Sequence, residues 1–485
     1  MRYLKYASFG LLVLALTAAA ADPPTPLSKD LKTASETIRP VDGYEYTKTL
    51  ASREFAGRLT GHEGYTAAAK WAARKFAAWG LKLLNAKDGY LQPYPSPVTV
   101  VEKAEMTLLL PEGQGVKEMK LVPEKEFLPL LFTASGEREG GLVFAGWGIS
   151  APDLNYDDYA GLDVKGKFVL CFRGTPDRDQ KWQVHDEHRT RMKTARDKGA
   201  LGIVYIYADI ASNPNGDWLA DFTPAMVSET VADAVFKEVN GSSAELRKTL
   251  TTYKRPVSFP LKAKARVSFV SRHFPDAVGY NVVGWVEGSD PKLRKEVVVL
   301  GGHFDHTGMH MGLLFPGADD NASGSAAVME IAQAFASLGR KPKRSVAFVL
   351  FGGEELGLQG STWFAGHVPA VFAKVDAMFN FDMVGEGDGV GGGVSDFSPD
   401  LKSAIEAADA HVGILRGLRT IRQVGVRSSD FAPFHLKGIP CASLGSNGPH
   451  LAYHQTGDTI YRINPDMIAD AARLAFLAAF GRADR

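Results

Sequence analysis

The sequence is poor in cysteine and carries no net charge. Only two cysteines, Cys171 and Cys441, occur in 485 residues, so a disulfide framework is not expected. The 55 basic residues balance the 55 acidic ones, which excludes the strong positive charge typical of nucleic-acid-binding proteins. An apolar fraction of 45% and a charged fraction of 23% are typical of a globular protein, and the length indicates more than one domain.

Long apolar runs are also scarce, and the first 21 residues contain a short one. Arg2 and Lys5 precede the apolar run Phe9 to Leu16, which leads to the small residues Ala18 to Ala21. This run is too short to span a bilayer comfortably, and no cysteine follows it to carry a lipid. We expect a secretory signal peptide over residues 1–21, with no stable membrane insertion after its cleavage. The mature protein is therefore predicted to be secreted or periplasmic.

Two changes of pattern divide the remaining chain. From Gly141, short apolar runs such as LVFAGWGI and GALGIVYIY surround one helix-like stretch. From about Phe274, apolar runs alternate with helical patterns. We therefore expect a main domain formed by residues 22–140 and 271–485, with residues 141–270 inserted as a small β-rich domain.

The main domain has the pattern of an α/β fold. The runs Val297 to Leu300 and Val346 to Phe351 are continuously apolar, as strands are when helices cover both faces of a sheet. Between them, Ala322 to Leu338 repeats apolar residues at helical spacing. The sequence predicts a mixed, largely parallel sheet between layers of helices.

Polar side chains follow three of the predicted strands directly. His303 and Asp305 follow VVVLGG, Glu354 and Glu355 follow VAFVLFGG, and Asp382 follows AMFNF. In an open α/β sheet, ligands bind at the carboxyl ends of the strands. Because these ends share one edge of a parallel sheet, we expect the five side chains to lie around one crevice.

Two further segments supply ligand-type residues. The loop GADDNASG carries Asp319 and Asp320 to the start of a helix, and YHQTGDT supplies His454 and Asp458. Imidazoles and carboxylates without thiolates suit zinc, cobalt or manganese. A hydrolytic pair of metal ions needs a bridging carboxylate and two further ligands for each ion, and the set contains enough residues for this.

The adjacent carboxylates of Glu354 and Glu355 are expected to differ in role. Consecutive side chains point in different directions, so both cannot readily bind the same ion. A metal ligand beside a general base is the natural division. Four other histidines are left unassigned and are expected at the surface or behind the ligands: His306, His310, His435 and His450.

In order and approximate spacing, GGHFDH, FPGADDNASG, FVLFGGEELGLQGS, NFDMVG and YHQTGDT resemble the metal motifs of the zinc aminopeptidases of peptidase family M28. The segment GWGISAPDLNYDDYAGLDVKGKFVL with KGALGIVYIY is similar to the protease-associated domain that some members carry. The resemblance implies a zinc exopeptidase fold with a protease-associated domain at residues 141–270.

The resemblance also implies a role for each site residue. Glu354 would be the general base for a metal-bridging hydroxide, Asp305 would orient His303, and Tyr453 would stabilise the developing oxyanion. Two zinc ions would be bound, one by His303, Asp320 and Asp382 and the other by Asp320, Glu355 and His454.

The expected function is that of a secreted di-zinc aminopeptidase acting on peptide or protein substrates, and three alternatives stay open. A carboxypeptidase would need a cation for the substrate carboxylate, which Arg422 or Arg427 would supply. A glutaminyl cyclase on the same fold needs only one metal ion. A non-catalytic binding protein would have lost ligands or the base, and all are present here. The sequence leaves the oligomeric state open.

Overall fold

The computed structural model describes residues 26–425 and 428–485, so the expected signal peptide and Arg427 lie outside the described residues. The strands of the described chain are β1 (Leu91–Pro95), β2 (Val98–Glu112), β3 (Gly115–Lys120), β4 (Phe127–Pro129), β5 (Gly136–Ala145), β6 (Ser150–Ala151), β7 (Tyr156–Asp157), β8 (Phe168–Phe172), β9 (Gly202–Tyr207), β10 (Ala225–Ser228), β11 (Ser258–Phe274), β12 (Val278–Val286), β13 (Glu296–His303), β14 (Gly308–His310), β15 (Leu313–Phe315), β16 (Ser345–Phe351), β17 (Lys374–Phe381), β18 (Val390–Ser395), β19 (Leu415–Ile421) and β20 (Cys441–Ser446).

Several helices begin at a capping residue: the side chains of Ser228, Ser242 and Asn464 each accept a hydrogen bond from the first turn of a helix. The α-helices of the described chain are α1 (Lys29–Ser35), α2 (Pro40–Leu50), α3 (Glu63–Ala78), α4 (Gln183–Asp186), α5 (His188–Asp197), α6 (Glu229–Phe236), α7 (Ser243–Tyr253), α8 (Gly324–Ser337), α9 (Gln359–Gly366), α10 (Pro399–Asp409), α11 (Ala432–His435) and α12 (Pro465–Ala483).

The sheet that contains β13 is called the first sheet and has the strand order β1-β12-β16-β13-β17-β20-β18-β19. The central strand β13 pairs in parallel with β16 and with β17, β17 pairs in parallel with β20, and β18 pairs in parallel with β19. The pairs β1–β12, β12–β16 and β18–β20 are antiparallel. The expected mixed, largely parallel sheet between helices is confirmed.

Alternating side chains of the buried strands pack against different helix layers. Val298 and Leu300 of β13 join the apolar cluster that contains α3, α8 and α12. Val297 and Val299, one residue out of phase, join the cluster on the opposite face with residues of α9 and α11. Both faces of the sheet are therefore buried, which explains why these strands read as continuous apolar runs.

The second sheet has the order β3-β2-β11-β5-β8-β9-β10-β4 and defines the second-sheet domain, Val98–Phe274. Its start differs from the boundary expected at Gly141, because β2, β3 and β4 belong to this sheet and not to the first one. The long strand β11 pairs with β2 from Lys264 to Phe274, opposite Leu109 to Val98. This pairing joins segments far apart in the sequence, so no local change of composition marks it.

The two sheets have separate apolar cores, and each contains one cysteine. Cys171 lies in β8 and Cys441 begins β20, and both are free and buried. Loss of hydration in the core raises the pKa of both thiols to about 12. Within residues 26–425 and 428–485, no helix has the length and apolar character needed to cross a bilayer.

Candidate metal centre

Three strand ends meet at one edge of the first sheet. β13 ends at His303, which lies opposite Phe351, the last residue of β16. On its other side, β13 pairs with β17, which ends immediately before Asp382. The side chains that follow these strands are thus brought to one crevice, as the sequence predicts.

His303, Asp320 and Asp382 form one group of donor atoms, named here the His303 position. Nε2 of His303 lies 3.4 Å from Oδ1 of Asp320 and 3.4 Å from Oδ1 of Asp382. The three ligand atoms lie within 4.8 Å of one another. Their side chains come from β13, from the loop before α8 and from the end of β17.

Asp320, Glu355 and His454 form the second group, named the His454 position. Nε2 of His454 lies 3.1 Å from Oδ2 of Asp320 and 3.0 Å from Oε2 of Glu355. Asp320 therefore faces the His303 position with one carboxylate oxygen and the His454 position with the other. This is the arrangement that a bridging carboxylate requires.

The donor set fits a pair of divalent cations. Ligands at ~2.0–2.2 Å from a tetrahedral zinc ion are separated by about 3.3 Å, close to the distances found in both groups. Oδ2 of Asp320 and Nε2 of His454 are buried and, although 3.1 Å apart, are hydrogen bonded neither to each other nor to any other group within the described part of the chain. Buried polar atoms are normally paired, so these face a position suited to a cation.

The charges of the His454 position stabilise one another. Burial favours the neutral form of Glu355, but His454 and His306 outweigh it and hold the pKa of this carboxyl well below its usual value. Burial alone would lower the pKa of His454, whereas Glu355 and Asp320 raise it well above its usual value. The protein itself thus keeps Glu355 ionised, as a metal ligand must be.

The Asp320 loop is held by Asp458, which lies on the segment that carries His454. Its two carboxylate oxygens accept the backbone N–H groups of Asp319 and Asp320 at 2.9 and 3.0 Å. Gly317 begins this loop at a φ of 57°, and a Cβ there would lie 2.4 Å from Cγ of His306. The glycine therefore lets the loop pass directly against the imidazole ring.

Glu354 and Asp305 lie beside His303. The backbone N–H of Glu354 donates to Oδ1 of Asp305 at 3.3 Å, and this oxygen lies 3.7 Å from Nδ1 of His303. The backbone carbonyl of Asp305 is nearer to Nδ1, at 3.3 Å. Loss of hydration raises the pKa of Glu354 well above its usual value; the charge of His303 opposes this rise, and Glu355 and Asp382 add to it.

Tyr453 lies at the rim of the centre. Its ring stacks on that of His454 with centroids 3.9 Å apart, and the residue as a whole is 51% exposed. Burial raises the pKa of its phenol well above the usual value, and the charges of Asp320 and Glu355 add to this rise, so the hydroxyl lies close to the donor groups.

His306 belongs to the centre although the sequence interpretation left it unassigned. It is fully buried, and its Nδ1 lies 2.9 Å from Oε1 of Glu355, the oxygen that does not face His454. The signal available in the sequence was its spacing in HFDH, three residues after His303. A strand that ends at His303 leaves the direction of the following residues undetermined, so this spacing alone could not place the side chain.

The other unassigned histidines are not surface residues either. His450 lies behind the ligands, where its Nδ1 is 2.6 Å from Oδ2 of Asp319. His310 is buried, and its Nδ1 accepts from the backbone N–H of Val101 in the second sheet at 3.0 Å. His435 is largely buried beside Ser395, at 2.8 Å. His450 thus has the expected place behind the ligands, whereas His310 and His435 lie neither at the surface nor behind a ligand.

The fold and this centre define the class of protein. The structure is similar to BSAP, a zinc aminopeptidase from Bacillus subtilis, with a TM-score of 0.63 and 19% identity over 92% of this chain and 96% of that one. The fold is thus that of a zinc aminopeptidase. Residues 281–479 match the model of peptidase family M28.

Relatives with named activities are similar to parts of the chain. Leupeptin-inactivating enzyme 1 of Streptomyces exfoliatus is 35% identical over 175 residues, which are 36% of this chain and 37% of that enzyme. Aminopeptidase YwaD of Bacillus subtilis is 26% identical over 346 residues, which are 69% of this chain and 67% of that protein. The chain thus spans little more than a third of the first relative and two thirds of the second.

Proposed function

We propose that this protein is a secreted aminopeptidase that binds two zinc ions and removes residues from the amino end of peptides. The observation that supports this most is the position of Asp320, whose two oxygens face two separate groups of donors at 3.4 and 3.1 Å. The fold of a zinc aminopeptidase and the similarity to aminopeptidase YwaD agree with it.

The ions would be held by five side chains in two overlapping sets. His303, Asp320 and Asp382 would hold one, and Asp320, Glu355 and His454 the other. When bound, the ions would polarise the scissile carbonyl group and lower the pKa of a water molecule.

The chain's own residues would carry out the proton transfers. Glu354 takes a proton from the attacking water and donates it to the leaving amine, as a general base and then a general acid. Asp305 holds the orientation of His303 from behind. Tyr453, at the rim, donates a hydrogen bond to the oxyanion that develops as the carbonyl is attacked.

The remaining expectations complete the proposal. The second-sheet domain, Val98–Phe274, corresponds to a protease-associated domain, and residues 1–21 direct export of the chain. Sequencing the amino terminus of protein recovered from the periplasm or medium tests export, because the mature chain should then begin near Ala21 or Asp22. Cytosolic protein that retains Met1 would contradict it.

A carboxypeptidase is the second candidate, and one observation favours it. A cleft of about 1190 Å³ begins at Asp382 and is lined by the exposed guanidinium groups of Arg419 and Arg422. Such groups pair well with a carboxylate. A free carboxyl terminus lying in this cleft would place the terminal peptide bond near the metal centre.

A panel of short peptides separates these candidates. The purified zinc-loaded protein is given peptides with free ends, with an acetylated amino end or with an amidated carboxyl end, with and without a chelator. We expect cleavage only of peptides with a free amino end, loss of activity with chelator, and two zinc ions per chain. Cleavage of acetylated peptides with a free carboxyl end would identify a carboxypeptidase. Cyclisation of amino-terminal glutamine would identify a cyclase, and two bound ions without activity would identify a binding protein.

A further inference from the structure

The His454 loop, residues 451–459, is held by the second-sheet domain. The backbone N–H of Ser212 donates to the carbonyl of His454 at 2.8 Å. In return, Nδ1 of His454 donates to the carbonyl of Ser212, also at 2.8 Å. Ser212 is almost completely buried, and its hydroxyl is 2.5 Å from that of Thr307, in the segment that follows His306.

This pair of bonds determines which nitrogen of His454 is available. A carbonyl oxygen can only accept, so Nδ1 must carry the proton. In the neutral imidazole, Nε2 then presents a lone pair to Asp320 and Glu355. A partner on the other ring nitrogen is what a metal-bound histidine usually requires, and here it comes from another domain.

Two further contacts hold the same position. Oε1 of Glu124, between β3 and β4, accepts from the backbone N–H of Thr456 at 3.3 Å and also from its hydroxyl. Arg189 in α5 donates to the carbonyl of Leu356, the residue after Glu355, at 3.2 Å. Glu355 and His454 belong to the His454 position and not to the His303 position. Each of them therefore lies within two residues of a contact with the second-sheet domain.

The His303 position is held differently. The carbonyl of His303 accepts from Ser325 in α8 at 2.7 Å, and the backbone N–H of Asp382 donates to Leu444 in β20 at 3.0 Å. Within residues 26–425 and 428–485, neither His303 nor Asp382 hydrogen bonds to the second-sheet domain. The first sheet and its helices supply their support.

We propose that the second-sheet domain sets the affinity of one of the two metal positions, the His454 position, and leaves the His303 position unaffected. This rests on the proposed binding of two ions. Glu124, Arg189 and Ser212 are positioning residues, because they act through the loops that carry Glu355 and His454. Loss of such an outer partner typically lowers metal affinity by about 10- to 100-fold.

Zinc affinity measured on the full-length protein tests this. Glu124→Ala and Arg189→Ala, alone and combined, are titrated with zinc against a competing chelator, and bound zinc is counted after dialysis. In the double variant, we expect the zinc affinity of one of the two binding steps to fall by about 10- to 100-fold. The affinity of the other step should equal that of the wild-type protein. Glu124→Gln keeps an oxygen that accepts from Thr456 and should restore affinity. Arg266→Ala is the matched control, because it breaks ion pairs inside the second sheet, with Glu118 and Glu139.

Variants that disable one metal position at a time show which of the two positions has lost zinc affinity. In an Asp382→Asn background, which disables the His303 position, Glu124→Ala should still lower the affinity for the one remaining zinc ion. In a Glu355→Gln background, Glu124→Ala should leave the affinity for the remaining zinc ion unchanged. Circular dichroism and the melting temperature establish that each variant is folded, and Arg189→Ala takes the place of Glu124→Ala if the latter does not fold.

The outcomes that overturn the proposal are distinct. The inference would be overturned if the folded double variant kept both zinc affinities, or if both affinities fell equally. Either result would leave the proposed two-ion function intact. A wild-type protein that binds fewer than two zinc ions would overturn the proposed function, and the inference with it.

Discussion

Replacing Glu354 and Glu355 by glutamine, one at a time, probes two adjacent side chains that differ only in their surroundings. Oε1 and Oε2 of Glu355 lie 2.9 Å from His306 and 3.0 Å from His454. Glu354 lies near His303, and its side chain has no hydrogen bond within the described part of the chain. Glutamine preserves the shape of each side chain and removes its charge and basicity.

The expected magnitudes follow from these surroundings. Loss of a positioned general base typically costs about 10²- to 10⁴-fold in rate, or roughly 3–5 kcal/mol of barrier. Glu354→Gln should therefore lower kcat by that factor and still bind two zinc ions. In Glu355→Gln a neutral amide replaces an ionised ligand. Its zinc affinity should fall by more than the roughly 10- to 100-fold that the loss of an outer partner costs.

Bound zinc and kcat are measured for both variants across a range of free zinc concentrations. Activity of Glu355→Gln should rise when zinc is added, whereas that of Glu354→Gln should not. Glu406→Gln is the matched control, since its side chain is exposed on α10 and should behave as wild type. Loss of zinc from Glu354→Gln together with full occupancy in Glu355→Gln would show that the assigned roles are reversed.

Two further predictions concern buried groups. His306→Phe keeps a ring but removes the donor to Glu355, so the zinc affinity of the His454 position should fall about 10- to 100-fold in a chelator competition; an unchanged affinity would contradict this role. Burial raises the pKa of Glu330 to about 8, from 4.5. Between these pH values the folded protein binds more protons than the unfolded chain, so this group makes stability fall as pH rises. Glu330→Gln should remove that contribution and raise the melting temperature more at pH 8 than at pH 5; an equal change at both would refute it.

Much of the first sheet and of its site could be predicted from the sequence, because the relevant signals are local. A strand covered on both faces must be apolar throughout, so β13, β16 and β17 were recognisable, and a polar residue directly after such a strand has to lie at its carboxyl end. His303, Glu355 and Asp382 were found in this way. Asp320 and His454 lie on loops, and the ligand roles of all five came from the motif resemblance.

The sequence alone determined the residue types at the strand ends, their order and the absence of thiolates among them, since these depend only on the chain itself. Tertiary structure decided what depends on distant segments meeting. Because β2 pairs with β11, the second sheet begins at Val98 and not at Gly141. The hydrogen bonds between Ser212 and His454 join residues 242 positions apart in the sequence. No periodicity or composition encodes such a contact, because its partners become neighbours only when the two sheets pack together.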